Sequence, residues 1–261
     1  MKIPAAINLA KLSSRAPADF HKTATLRQMK SIKQELIALQ DRLYAENTRS
    51  VLVVLQGMDA SGKDGLIRRV FSGLNPQGVQ VHSFKEPTEL ELAHDFLWRV
   101  HQQVPPKGMI HVFNRSHYED VLVTRVLGQV TAEEARRRFV AINNFEKLLQ
   151  QAGTTILKFY LHVSEDEQRQ RLEERITDPE KQWKYEAGDE TKAKQWPAYR
   201  AVYEDVFEHC NPSSCPWQLV PADQNWYKAY AVANSLRNTL VELDPQYPHS
   251  KEERPKAKAM R

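Results

Sequence analysis

The stretch VLVVLQGMDASGKDG, residues 51–65, decides the fold of this chain. Val51–Leu55 is a continuous apolar run rich in β-branched residues, as in a strand buried on both faces. Gly57-Met58-Asp59-Ala60-Ser61-Gly62-Lys63 follows, and Leu66, Ile67, Val70 and Phe71 then recur at helical spacing. A buried strand, a glycine loop ending in lysine and a helix form a phosphate cradle. Backbone N–H groups wrap the anion, Lys63 reaches its oxygens, and the helix N-terminus adds about half a positive charge. The pattern G-x-x-x-x-G-K-[ST] is met through Lys63 and fails at Asp64, where a metal-ligating hydroxyl belongs. Asp59 is the substitute within the loop. A carboxylate among phosphates is repelled unless a cation lies between them, so Asp59 implies a metal. A plain strand–turn–helix is the competing reading, but the motif's place between strand and helix argues against it.

Composition bounds the class. Hydrophobic residues make up 41% of the 261 residues and charged residues 27%, which suits one large domain or a domain with an inserted lid. No stretch approaches the ~18 uncharged apolar residues of a membrane helix. The broken apolar segment in MKIPAAINLAKLSSRAP is too weak for a secretory signal. Cys210 and Cys215 match no zinc or redox spacing, so two ordinary thiols in a reducing cytoplasm are expected. The formal charge of +4 is mildly basic. It admits an anionic substrate and falls short of a nucleic-acid-binding composition.

Outward from the cradle, residues 1–23 read as an irregular, basic lead-in. Leu26, Met29, Ile32, Leu36, Leu39 and Leu43 predict an amphipathic helix over 24–47 that packs on the sheet. Asn75–Gly78 is a turn, and Val79–Phe84 alternates as a strand does. Thr88 with Glu91 makes a capping box for a helix expected to run to about Gln103. Met109–Phe113 is a strand, and a helix follows to Leu127. Thr131 caps a long helix to about Ala152, Thr154–Val163 is a strand, and Ser164 starts another helix. Between Thr177 and Gln195 apolar periodicity is poor. Arg169, Arg171, Arg175, Lys181, Lys184, Lys192 and Lys194 interleave there with Trp183, Tyr185 and Trp196, as in a solvated charged face or a mobile lid over about 169–200. Trp217–Val220 is a last strand, Asn225–Leu243 a last helix, and 244–261 a basic tail. Alternating strands and helices predict a parallel sheet with helices on both faces. Ligands of such sheets bind beyond the strand C-termini. The cradle loop, Lys85 and the cluster Asn114-Arg115-Ser116-His117-Tyr118-Glu119-Asp120 all follow strands and should share one crevice.

Phosphoryl transfer needs positioned phosphates, a metal and cations over the equatorial oxygens. Lys63 and Arg115 are the candidate cations. Asp59, with Glu119 or Asp120, is the candidate Mg²⁺ or Mn²⁺ site. The bland alternatives are an Arg115–Glu119 helix pair and a solvated Asp120. His82, His94, His111 and His117 lack metal-ligand spacing and read as structural.

LQGMDASGKDG (55–65), FSGLNPQG (71–78), SFKEPTELELAHDFLWRVH (83–101) and VFNRSHYEDVLVTRV (112–126) resemble the polyphosphate kinase 2 family. RLEERITDPEKQWKY (171–185) and WQLVPADQNWYKAYAVAN (217–234) resemble it too, so the likeness covers about residues 25–240. The resemblance implies a P-loop, thymidylate-kinase-like fold with a helical lid, Mg²⁺-dependent phosphoryl transfer between inorganic polyphosphate and nucleotides, and homodimers or homotetramers. On this sequence it implies a Walker A loop at Gly57–Lys63 and a Walker B region at Met109–Asp120. It also implies a nucleotide site at Asn114, Arg115, Tyr118 and Glu119. Asn114 stands where members acting on nucleoside diphosphates usually carry aspartate. With Met58, Asp64 and Tyr118-Glu119-Asp120 it resembles the class III subgroup, which implies reversible conversion of AMP to ADP to ATP. The chain departs from the family after Asp223, where Gln224 and Asn225 replace a cation and Lys228 is the first to follow.

A polyanion needs a track of cations, and Lys63, Arg68, Lys85, Arg115, Arg125, Arg171 and Arg175 are the candidates, with Arg68 preferred over its neighbour Arg69. Gly57, Met58, Ala60, Ser61, Gly62 and Asp64 complete the phosphate site. The expectation is a polyphosphate:AMP/ADP kinase binding neither nucleic acid nor membrane. Its rivals are an ATP-dependent nucleoside monophosphate kinase and a non-catalytic polyanion-binding protein.

Overall fold

A computed structural model of the chain describes residues 2–4, 7–184 and 195–248. Tyr185, Lys192, Lys194 and the residues from 249 onward lie outside them, as does most of the expected lid's middle.

Five parallel strands form one sheet in the order β2-β3-β1-β4-β5. They are β1 (Ser50–Gly57), β2 (Val79–Ser83), β3 (Ile110–Asn114), β4 (Thr154–His162) and β5 (Trp217–Pro221). β1 is central and buried along its whole length, which explains its uninterrupted apolar run. The helices are α1 (Lys22–Glu46), α2 (Lys63–Phe71), α3 (Glu89–Leu92), α4 (Trp98–His101), α5 (Glu119–Val126), α6 (Ala132–Gln151), α7 (Glu165–Thr177), α8 (Trp196–His209) and α9 (Asn225–Leu243). α1, α2 and α9 pack together in one layer, and α5 packs against both α6 and α8 in the other. α1 buries Met29, Ile32, Leu36, Leu39 and Leu43, while Leu26 near its start stays exposed. The helix ends at Asn47 in a left-handed cap.

Two expectations change. The helix foreseen over 88–103 is two short ones. The Thr88–Glu91 capping box is present, but Asp95 interrupts the run. Its carboxylate accepts the Leu97 N–H at 2.9 Å and its carbonyl the Trp98 N–H at 3.0 Å, which starts a new turn. The lead-in before α1 is irregular yet fastened down. Ile3 and Leu9 are buried, Lys2 bridges to Gln218, and Phe20 packs edge-on against Tyr227. Among the described residues no helix is long and apolar enough to cross a membrane.

Candidate active site

The strand register builds the site. Leu55 of β1 pairs with Asn114 of β3, so Arg115 emerges beside the start of the loop, its N–H bonded to the Leu55 carbonyl at 3.1 Å. Arg115 takes a left-handed backbone conformation, φ 62°, which is uncommon for a residue with a long side chain. That turn sends the guanidinium back across the strand gap, to 3.4 Å from the Asp59 carboxylate. Ser116 steadies the turn: its hydroxyl accepts from the buried Gln56 amide at 3.0 Å and from the Tyr118 N–H at 3.3 Å.

The loop is held by its carbonyls. The Lys63 ammonium donates to Gly57 O at 2.9 Å and Met58 O at 3.3 Å. Gln168 of α7 donates to Asp59 O at 2.9 Å and Arg171 to Ala60 O at 3.0 Å. Lys228 of α9 donates to Ser61 O at 2.8 Å, and the Tyr203 hydroxyl of α8 receives the Gly57 N–H at 3.1 Å. In a trans peptide the N–H points opposite to the carbonyl. Donors drawing the Asp59 and Ser61 carbonyls toward α7 and α9 therefore point the Ala60 and Gly62 amides away from those helices, the arrangement a phosphate-wrapping loop needs. Gly57 is required by the backbone packed against it, and Gly62 by its left-handed turn, φ 86°. A Cβ on Gly57 would lie 2.8 Å from the Leu161 carbonyl and one on Gly62 2.3 Å from the Lys228 ammonium.

Lys63 is the electrostatic centre. Burial first, then Arg115, pulls its ammonium down to about 8, against Asp59, Glu119 and Asp64. One cation thus feels four of the residues the sequence singles out. Asn114 joins two elements by donating to Asp64 at 2.9 Å and to Ser83 at 3.2 Å. Arg68 and Lys85 are exposed, on α2 and beyond the end of β2, and Arg175 is half-buried in the last turn of α7.

Four expected site residues have other work. Tyr118 is fully buried and does not face a nucleotide crevice. Its hydroxyl donates to Glu146 at 2.7 Å and accepts from Lys158 at 3.0 Å, inside a network that includes His117. Asp120 turns to Arg99, 3.8 Å away. Burial pushes its carboxyl up to about 6 despite Arg99 and Arg138. Glu119 is half-buried, and its charge acts on Lys63. Arg125 is ion-paired with Asp205 of α8. Arg171 spends its donors on Glu167 and on the carbonyls of Ala60, Ala222 and Asp223, supporting the loop instead of lining a track. Gln168, Tyr203 and Ser83 are site residues that sequence reasoning missed. The first two sit on helices whose patterns give no hint of a loop contact.

The departure after Asp223 also has a structural role. The Asp223 carboxylate accepts from the Ser14 hydroxyl at 2.7 Å and the Ser164 N–H at 2.8 Å, and the Gln224 amide oxygen from the Ala16 N–H at 2.6 Å. These residues tie the lead-in to the floor of the site. The histidines serve packing: His82 lies against Phe84, His94 stacks on Trp98, and His111 bonds the Gln103 carbonyl.

Asp59 and Glu119 offer hard carboxylate oxygens beside a phosphate loop, the donor type Mg²⁺ prefers, and the Asp59 side chain is partly exposed toward the crevice. The residues therefore fit a divalent cation shared with phosphate. Asp120 is buried 3.8 Å from Arg99, and its Oδ2 has no hydrogen-bond partner.

The parallel sheet, the glycine loop at its central strand and the arginine one strand away define a P-loop phosphotransferase. The chain belongs to the polyphosphate kinase 2 family: residues 19–248 match the family's sequence model. It is 52% identical to the AMP/ADP-polyphosphate phosphotransferase of Meiothermus ruber, over 87% of this chain and 85% of that one. It is 43% identical to the ADP-polyphosphate phosphotransferase of Rhodopseudomonas palustris, over 83% and 79%. The crystal structure of polyphosphate kinase 2 from Arthrobacter aurescens TC1 superposes with a TM-score of 0.93 at 39% identity, covering 97% of this chain and 91% of that one.

Proposed function

We propose that the protein is a polyphosphate-dependent nucleotide kinase. It moves the terminal phosphoryl group of inorganic polyphosphate to AMP and to ADP, reversibly. The observation that carries this is the Arg115 guanidinium at 3.4 Å from Asp59, a cation from the next strand beside the loop that ends in the buried Lys63. The names of the two relatives above support the donor, and the higher identity to the AMP/ADP enzyme supports both acceptors.

In this reading the loop amides and Lys63 grip the terminal phosphates, and Arg115 and Lys63 meet the charge that develops on the equatorial oxygens during transfer. Asp59 and Glu119 hold Mg²⁺ or Mn²⁺. When bound, that ion neutralises phosphate charge and aligns donor and acceptor. Arg68, Lys85 and Arg175 continue the cation track for the rest of the polymer, and Asn114 with Glu119 borders the acceptor. Two reduced, buried cysteines suit a cytoplasmic enzyme, and its assembly follows the family as a homodimer or homotetramer.

The test is donor exchange. Purified protein with Mg²⁺, polyphosphate and AMP is expected to form ADP and then ATP. It should do little with ATP and dTMP. Phosphorylation by ATP alone would favour an ordinary nucleoside monophosphate kinase, and no turnover with any donor would leave only polyanion binding.

A further inference from the structure

Lys228 is 1% exposed, yet carries an ammonium group into the rear of the phosphate loop. Its Nζ donates to the Ser61 carbonyl at 2.8 Å and occupies the space that a Cβ on Gly62 would need. The neighbours that face it are mostly cationic: Arg171 on α7 and Arg69 and Lys63 on α2, with Glu167 of α7 the opposing carboxylate. A lysine serving the fold alone would be a poor choice here, because a buried charge among like charges destabilises the folded state.

We propose that Lys228 is a positioning residue for phosphate: it fixes the Ser61 carbonyl away from the concave face and lends positive charge to the bound anion through the glycine of the loop. The inference rests on the reading of residues 57–63 as a phosphate cradle. Gly62 then has two duties, its left-handed turn (φ 86°) and the close approach of the lysine behind it. Burial, followed by Arg171, Arg69 and Lys63, draws the ammonium down to about 7 in the free protein. An anion in the cradle offsets those three cations and favours the charged form. A unit charge ~8 Å away in an effective dielectric of ~20 is worth tenfold or more in anion affinity.

Lys228→Met removes charge and donor; Lys228→Gln removes the charge and keeps a donor for Ser61. Tripolyphosphate binding by calorimetry, steady-state kinetics with long-chain polyphosphate, and thermal midpoint are measured with Mg²⁺ on the full chain. Both variants are expected to bind tripolyphosphate about tenfold more weakly and to raise KM for polyphosphate by a similar factor. kcat should change much less, and the melting point without ligand should stay level or rise. Unchanged affinity in a folded variant, or a melting point that falls by more than ~5 °C in both, would overturn the inference and leave Lys228 a structural prop. Failure of the unmodified protein to bind tripolyphosphate would overturn the cradle reading as well, which separates the two.

Discussion

Arg115 carries the geometry of the site at the scale of one residue. Arg115→Ala should lower kcat by about 10²–10³, the usual cost of removing one transition-state donor. Arg115→Lys should recover little, since a lysine lacks the planar fork and its reach; a kinetic comparison at saturating polyphosphate checks both. Tyr118→Phe should behave oppositely. It leaves Glu146 and Lys158 short of a buried partner, destabilises by about 1–3 kcal/mol, and leaves KM for AMP unchanged, because the phenol lies inside the core. Residue types at strand ends are legible in sequence, and Asp59, Lys63 and Arg115, picked out that way, lie together in the fold. The direction a side chain takes is not. Tyr118, Glu119 and Asp120 are consecutive, and only the start of α5 decides that Glu119 faces the loop while its neighbours turn to the core and to Arg99. The left-handed turn at Arg115 has no glycine to announce it.

Elements are legible where their chemistry is local: the apolar run of β1, the caps of α3, α6 and α7, the spacing of α1. What escapes is contact between distant elements. The phosphate loop is held by Gln168 and Arg171 of α7 and by Tyr203 of α8, the helices on either side of residues 178–195, and no periodicity records such a bond. The same holds for α6 and β4. Glu146 and Lys158 meet at 2.7 Å with both side chains excluded from water. Burial alone would raise the Glu146 carboxyl, but Lys158 and His117 outweigh it and hold it below its ordinary 4.5. A depressed carboxyl stabilises the fold above its unfolded value and loses that contribution as pH falls below it. Denaturant midpoints should therefore be steady near neutrality and drop as pH falls through and below about 4.5. Glu146→Gln should cost about 3–5 kcal/mol at pH 7, the penalty for stranding a buried ion, and should flatten the acid limb. A variant as stable as the parent, with the same acid limb, would mean that the pair is not closed in solution.

For the whole molecule the net charge is a modest +4, and the proposed polymer track rests on a few cations near the strand ends. Added salt should raise KM for polyphosphate steeply, through Arg68, Lys85 and Arg175, and KM for AMP far less, since a polymer displaces many counterions and a mononucleotide few. Equal salt slopes would place the polymer elsewhere. We propose that residues 57–63 hold an oligophosphate beside a metal carboxylate. Paired measurement of turnover and polyphosphate affinity in Asp59→Asn tests it most directly. Turnover from AMP should fall by at least ~10³, as expected when the metal and its charge alignment are lost. Affinity should be kept or tightened, because a repelling carboxylate has gone. Loss of both by the same factor, or retention of both, would contradict it.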